Sequence, residues 1–177
     1  MTTALLIVDV QRALCSGEYQ CYDIHGIIEK INGLSSRARR AGVPVVLIQH
    51  EENDSPLAHG AEGWQLAEGL ATAASDLRVR KTTPDSFYQT DLRKLLPSED
   101  FERLVICGLQ TDYCVNATVR QAHQLGYDVV LVADAHSTVD NGKMSAEDII
   151  AEHNKDLAHL TGATGRIDVK PAADITF

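Results

Sequence analysis

One cysteine in the sequence has a setting that suits nucleophilic chemistry. Cys114 ends the segment Gly108-Leu109-Gln110-Thr111-Asp112-Tyr113-Cys114, which joins a buried apolar run to a helical pattern. If Thr111 or Asp112 caps that helix, Cys114 lies in its first turn, where free N–H groups and the helix dipole stabilise a thiolate. The same turn supplies N–H groups for an oxyanion hole. The alternative is an inert packed thiol, which fits Cys107 in the preceding run.

An acid and an amine occupy comparable positions elsewhere in the chain. Asp9 follows Leu5-Leu6-Ile7-Val8, and Lys81 follows Leu77-Arg78-Val79-Arg80. These groups together are suited to acyl transfer, in which Cys114 attacks, Asp9 moves the proton and the Lys81 ammonium lowers the pKa of the thiol. The alternatives are a hydrogen-bonded turn acceptor for Asp9 and a solvated strand edge for Lys81.

Short apolar runs must position these three residues. The runs lack polar alternation, so each is predicted to be a strand covered on both faces of a parallel sheet. The ligand crevice of an open parallel sheet lies beyond the carboxyl ends of its strands, so Asp9, Lys81 and Cys114 are expected at one edge. The runs are Ala4–Val10, Val43–Gln49, Leu104–Gly108 and Val129–Ala133, with Leu77–Arg80 as a weaker candidate.

Helical patterns alternate with these runs. Ile24–Ala41 ends at Gly42, a left-handed cap, Thr111–Leu125 has one apolar face, and Ser145 opens a further helix with capping-box spacing. The alternation predicts an α/β fold, doubly wound, with a mainly parallel sheet flanked by helices on both faces in three layers. No repeat or linker interrupts the pattern, so residues 1–177 are predicted to form a single domain.

The stretch Glu51–Ala74 is the least regular part of the chain, and a short helix is predicted around Trp64–Leu70. Long loops in compact domains are often functional covers, so this stretch and His136–Lys143 are expected to determine the substrate. A glutamine two residues beyond Asp9 and several aromatic side chains are placed to contact a ligand. The candidate substrate-binding residues are Gln11, Trp64, Phe87 and Tyr113.

Charge and composition exclude several classes of partner. The net charge of -9 argues against nucleic acid or an anionic membrane, since both require a concentrated basic surface. The segment before Asp9 has no basic region and only one short apolar run, so a cytoplasmic address and reduced cysteines are expected. The expected partner is a small-molecule substrate.

These motifs, in this order, resemble the isochorismatase-like cysteine hydrolase superfamily, which includes nicotinamidases, carbamoylsarcosine amidases and isochorismatases. The resemblance covers most of the chain, and its most specific element is Asp112-Tyr113-Cys114-Val115 after Gly108. The other matching segments are Leu6-Ile7-Val8-Asp9-Val10-Gln11, Arg80-Lys81 with Ser86-Phe87, Gly126-Tyr127-Asp128-Val129 and Val132-Ala133-Asp134-Ala135.

The resemblance implies a catalytic triad of Asp9, Lys81 and Cys114, in which Cys114 attacks a carbonyl and Asp9 shuttles the proton. It also implies a cis peptide bond between Leu109 and Gln110, and an oxyanion hole formed by the N–H groups of Gln110 and Cys114. A homodimer or homotetramer is implied as well.

Two departures from the family patterns narrow the expected chemistry. Nicotinamidases bind a metal through an Asp-x-His pair and further histidines, whereas the region here is Gln49-His50-Glu51-Glu52-Asn53-Asp54, with His59 farther on. We therefore expect no metal and no other cofactor, with His50 and His59 left as possible contacts for substrate or an ion. Isochorismatases proper cleave a vinyl ether and often lack the cysteine, so Cys114 favours an acyl-enzyme route on a small amide or related C–N bond.

Three other functions stay open at this point. The first is isochorismatase-type ether hydrolysis, with Asp9 as the acid and Cys114 dispensable. The second is a catalytically silent binding or scaffold protein that retains the pocket. The third is thiol redox sensing, which needs a resolving partner, and Cys107 is expected to be poorly exposed for that role.

Overall fold

The structure, a computed structural model, describes residues 2–98 and 100–177. Its strands are β1 (Thr3–Val8), β2 (Val45–His50), β3 (Leu77–Lys81), β4 (Arg103–Leu109), β5 (Asp128–Ser137) and β6 (Ile167–Lys170). They form one sheet in the order β3-β2-β1-β4-β5-β6, and every neighbouring pair is parallel. The parallel sheet predicted from the apolar runs is therefore confirmed.

Helices cover both faces of this sheet. They are α1 (Arg12–Cys15), α2 (Ile24–Arg40), α3 (Leu92–Leu95), α4 (Asn116–Gln124) and α5 (Ala146–Ala158). The apolar side of α2 packs on one face, where Ile31 meets Leu5 and its neighbours, and α3, α4 and α5 pack on the other, where Val119 joins the cluster around Leu6. Successive residues of β1 thus enter opposite cores, which is why this strand has no polar alternation. No helix in the described part of the chain is long and apolar enough to span a membrane.

The order of the strands fixes where a crevice can open. The chain runs outward from β1 through β2 to β3, then returns to the other side of β1 as β4 and runs outward again. The direction reverses between β1 and β4, and ligands bind at such a switch point, outside the carboxyl ends of the strands. Asp9 immediately follows β1, and the segment leading to Cys114 immediately follows β4.

A glycine lets these two strand ends approach each other. Gly108 has a φ of +122°, and a Cβ at this position would lie 2.1 Å from the carbonyl oxygen of Val8. Any larger residue would collide with the backbone of β1 and would also have to adopt a conformation that L side chains rarely adopt. The contact brings the turn beyond β4 against the residue that follows Val8.

Local signals predicted some element ends correctly and others not. The Ser145 side chain accepts a hydrogen bond from the N–H of Asp148, as the capping pattern predicted, and α2 is followed by Gly42 with a φ of +72°. The helix predicted around Trp64–Leu70 is wrong, because Leu66 instead forms an antiparallel bridge with Gln11. Strand β6 was not predicted, since its four residues include Asp168 and Lys170 and carry little apolar signal.

Candidate active site

Three of the predicted site residues meet at the switch point. The ammonium Nζ of Lys81 lies 2.7 Å from Oδ2 of Asp9 and 3.2 Å from Sγ of Cys114. Asp9 and Lys81 are 1% and 2% exposed, whereas Cys114 is half-buried. The fold therefore brings together an acid, an amine and an accessible thiol from three distant parts of the chain.

Asp9 is positioned by backbone hydrogen bonds and by an ion pair with Lys81. Its N–H donates to the carbonyl of Ile48 at 2.9 Å, its carbonyl accepts from the N–H of Gln11 at 2.8 Å, and its φ is +50°. Within residues 2–98 and 100–177, the Lys81 ammonium makes no hydrogen bond of regular geometry to either carboxylate oxygen, despite the short distance, whereas the Cys114 thiol hydrogen-bonds to Asp9. The Asp9–Lys81 contact is thus an ion pair without a directed hydrogen bond. Such a carboxylate keeps its lone pairs free to accept a proton.

Lys81 ends β3 opposite His50, the last residue of β2 in the parallel register. Its Nζ donates to the carbonyl of Thr83 at 3.1 Å and lies 3.2 Å from Nδ1 of His50. These contacts, with Cys114, place the ammonium at the centre of the cluster. The alternative interpretation, in which Lys81 belongs to a solvated strand edge, is wrong because its side chain is buried.

Cys114 lies in a widened helical turn, Thr111–Val115, that precedes α4. The pKa of its thiol is raised to about 12, chiefly by burial and then by the charge on Asp9, and the Lys81 ammonium acts in the opposite direction. The sequence predicted a lowered pKa for this thiol. The structure differs because desolvation and the adjacent carboxylate outweigh the single cation. The resting nucleophile is consequently a thiol that needs a base.

The turn around Cys114 is held by hydrogen bonds from its side chains to neighbouring residues, and not by a helix cap. Thr111 and Asp112 were the predicted capping residues, but no side chain caps this turn. Thr111 Oγ1 lies 2.9 Å from Nδ1 of His136, and Asp112 accepts a 2.7 Å hydrogen bond from the hydroxyl of Thr138. Both side chains are thereby turned toward β5 and the loop after it.

His136 is a buried part of this support that the sequence did not identify clearly. Burial lowers its pKa to about 4, so the ring is neutral at physiological pH. Asn154 donates through Nδ2 to the carbonyl of Ala133, which leaves Asn154 Oδ1 to accept from Nε2 of His136 at 2.9 Å. Nδ1 of His136 therefore accepts the hydroxyl proton of Thr111. The only sequence signal was the position of His136 after an apolar strand.

A cis peptide bond joins Leu109 and Gln110 at the start of the turn. The carbonyl of Gln110 accepts hydrogen bonds from the N–H groups of Tyr113 and Val115, at 3.2 and 3.1 Å. Gln110 and Cys114 thus lie on one tight turn at the end of β4. Their shared role as an oxyanion hole stays a prediction.

Gln11 has a structural role that differs from the substrate-binding role predicted for it. Its side chain is 0% exposed, and Nε2 donates to the carbonyls of His50 and Trp64, both at 2.9 Å. Oε1 accepts from the N–H of His50 at 2.9 Å. The amide is fully occupied by the backbone, so Gln11 fixes the end of β2 and the segment around Trp64.

The three predicted aromatic ligand contacts occupy different environments. Phe87 is 6% exposed and stacks on Tyr127 in the core, which argues against a place in a pocket wall. Tyr113 is 60% exposed beside the nucleophile. Trp64 is half-buried against His59, with ring centroids 4.7 Å apart. Substrate contact by Trp64 and Tyr113 stays a prediction.

A possible metal-ligand set coincides with the candidate site. Asp9, His50 and Cys114 each offer one ligand atom, and these atoms lie within 4.8 Å of one another. The Lys81 ammonium lies within 3.2 Å of all three side chains. A metal cation there would be repelled by that charge, so the donor set does not fit a metal ion while Lys81 is protonated.

Comparison with known proteins places the chain among hydrolase relatives. The Isochorismatase domain family model matches residues 3–163. Streptothricin hydrolase from Streptomyces noursei is 38% identical over 138 residues, which cover 77% of this chain and 50% of that protein. The uncharacterized isochorismatase family protein YddQ from Bacillus subtilis is 34% identical over 159 residues, covering 86% of this chain and 87% of that protein.

A solved structure of an isochorismatase family protein has the same fold as this chain. The crystal structure of an isochorismatase family protein superimposes with a TM-score of 0.85 at 35% identity, covering 94% of this chain and 98% of that one. The chain spans about half the length of the streptothricin hydrolases that it matches. Because the family model covers nearly the whole chain and the fold agrees, the chain belongs to the isochorismatase family.

Proposed function

We propose that the chain is a metal-independent cysteine hydrolase, which cleaves a small amide or related C–N bond through a thioester on Cys114. The observation that carries this proposal is the position of the half-buried Cys114, with its sulfur 3.2 Å from the Lys81 ammonium, beside the buried Asp9 carboxylate. Nucleophile, proton acceptor and cation are the groups that acyl transfer requires.

Acylation begins with proton transfer from the Cys114 thiol to Asp9 as sulfur attacks the carbonyl carbon. Lys81 stabilises the negative charge that develops on sulfur, and the N–H groups of Gln110 and Cys114 stabilise the oxyanion. The C–N bond then breaks, and the nitrogen leaves with the proton held by Asp9. The products of this half-reaction are an amine or ammonia and a Cys114 thioester.

Deacylation uses the same groups in the reverse sense. Asp9, again unprotonated, takes a proton from water, and the resulting hydroxide attacks the thioester carbonyl. The C–S bond breaks, the acid leaves, and the Cys114 sulfur recovers a proton from Asp9. Each half-reaction returns Asp9 to its starting state, so no cofactor is consumed.

The charge pattern favours this route over vinyl ether hydrolysis. Ether hydrolysis requires Asp9 to be protonated at rest so that it can act as an acid. Asp9 instead forms a 2.7 Å ion pair with Lys81, an arrangement that suits a carboxylate acting as a proton acceptor. The Cys114 thiol would also have no role in the ether reaction.

The proposal is tested with a panel of small amides and ureido compounds assayed for ammonia release. Cys114→Ala is expected to lower kcat by several orders of magnitude, since loss of a nucleophile removes the covalent route. Cys15→Ala is the matched control because Cys15 is also half-buried with a pKa near 12, yet it lies outside the cluster. Turnover retained by Cys114→Ala, or lost on dialysis against a chelator, would reject the mechanism.

A further inference from the structure

The Lys81 ammonium has four polar neighbours but only three N–H donors. Three contacts have hydrogen-bonding geometry, to His50 Nδ1 at 3.2 Å, to the Thr83 carbonyl at 3.1 Å and to Cys114 Sγ at 3.2 Å. An ammonium group carries three N–H donors, so these three acceptors use all of them. The fourth neighbour, Asp9, lies closest to the nitrogen and receives no directed hydrogen bond from it.

This arrangement depends on the protonation state of His50. Lys81 can only donate, so Nδ1 of His50 must be the unprotonated nitrogen of a neutral ring. Burial lowers the pKa of His50 and the Lys81 charge lowers it further, whereas the charges on Asp9 and Glu52 and a hydrogen bond to the Thr83 backbone act against both. The neutral ring thus persists at physiological pH. Direct pairing of His50 with Lys81 in the register of β2 and β3 places Nδ1 within reach.

We infer that His50 is a positioning residue for the reaction. Together with the Thr83 carbonyl it binds two of the three Lys81 protons, and it thereby directs the third at the Cys114 sulfur instead of at Asp9. The inference rests on the proposed function, and it assigns to His50 a role beyond the three predicted catalytic residues.

As a consequence, the Lys81 ammonium interacts differently with Asp9 and with Cys114. With its donors committed elsewhere, Lys81 pairs with Asp9 by charge alone, so the carboxylate keeps lone pairs for the thiol proton. Without the His50 acceptor, one N–H can turn to Asp9, only 2.7 Å away. A carboxylate with such a hydrogen bond is a weaker base, and the sulfur loses its stabilising donor.

Two substitutions at His50 distinguish the effect of its hydrogen-bond acceptor from the effect of its imidazole ring. His50→Leu removes the acceptor with little change in volume, whereas His50→Asn retains an acceptor oxygen near the position of Nδ1. The probe is p-nitrophenyl acetate, an activated ester that needs no knowledge of the substrate, and acetylation is assigned to Cys114 by peptide mass mapping. Loss of one hydrogen bond to a charged group predicts that His50→Leu slows acetylation of Cys114 about ten- to a hundredfold.

The conservative variant provides the decisive comparison. His50→Asn is expected to acetylate Cys114 at least about tenfold faster than His50→Leu, since the acceptor is restored. An unchanged rate in His50→Leu, or equal rates in the two variants, would overturn the inference. Alkylation of Cys15 in each variant reports whether the fold is intact, because a general loss of structure would expose that thiol too.

A second measurement uses the wild-type protein and so does not depend on whether a variant folds. Nitrogen-15 NMR of the wild-type protein at neutral pH should show His50 protonated at Nε2 and unprotonated at Nδ1. A proton on Nδ1 would overturn the inference, because that nitrogen could not accept from Lys81. Wild-type protein that is never acetylated at Cys114 would instead contradict the proposed function, and the tautomer would still decide the role of His50.

Discussion

At Cys114, burial and the charge on Asp9 act against the positive charge on Lys81. The balance raises the pKa of the thiol to about 12. A preformed thiolate, of the kind found in proteins with strongly activated cysteines, is therefore not the resting state here. The thiolate forms only as Asp9 accepts the proton during attack, which couples nucleophile and base in one step.

The pH dependence of alkylation tests this balance at the level of one residue. Only the thiolate reacts with iodoacetamide, and a raised pKa means that the thiolate fraction grows as pH increases through the alkaline range. The rate at Cys114 in the wild-type protein should keep rising above pH ~9, an ordinary thiol having a pKa of about 8.5. A rate that reaches its plateau below neutral pH would show a lowered pKa and would contradict the structure. Peptide mass mapping separates Cys114 from the other thiols.

The sequence predicted which residues meet but not how each behaves. Asp9, Lys81 and Cys114 follow apolar runs directly, and that position suffices to bring them to one edge of a parallel sheet. The direction of the pKa shift depends on distances and burial that spacing does not encode. For the same reason Gln11 was assigned to substrate, whereas its amide is occupied by the backbone of neighbouring segments.

Among the elements, the approach of β4 to β1 depends most visibly on a single side chain. Gly108 lies against the backbone of Val8, at a positive φ, immediately before the turn that carries Cys114. Packing of two backbones at this distance leaves no volume for a methyl group. The geometry of the candidate site therefore depends on this glycine although it bears no reactive group.

Gly108→Ala should consequently destabilise the protein strongly. We expect a loss of about 2–4 kcal/mol in the free energy of unfolding, from the clash with Val8 and the strained φ. Gly33→Ala is the matched control, because Gly33 is exposed in α2 with no atom within 4 Å of the added Cβ. That control should gain about 0.5–1 kcal/mol from helix propensity. Urea unfolding measures both, and equal stabilities would contradict the close approach.

Elements with a strong apolar signal were predictable, and elements made by tertiary contacts were not. Strands β1, β2 and β4 are continuous apolar runs buried on both faces, so composition alone indicates them. Strand β6 and the bridge between Gln11 and Leu66 are short and owe their place to the neighbours they pair with. A local pattern carries no information about such partners.

For the whole molecule, the reversal of strand order between β1 and β4 explains why one edge of the sheet collects residues so distant in sequence. β1, β3 and β4 each deliver one reactive group to the same edge, and β2 delivers His50 beside them. The single domain over residues 1–177 and a homodimer or homotetramer stay predictions. The net charge of -9 disfavours polyanionic partners.

The most direct test of a Cys114 thioester is mass spectrometry of the enzyme quenched with acid during turnover. The substrate is whichever amide of the panel releases ammonia fastest. The proposed mechanism predicts that the peptide containing Cys114 gains the mass of the acyl group, and that hydroxylamine removes this mass. An unmodified Cys114 throughout turnover, with the acyl group on another residue, would contradict the mechanism.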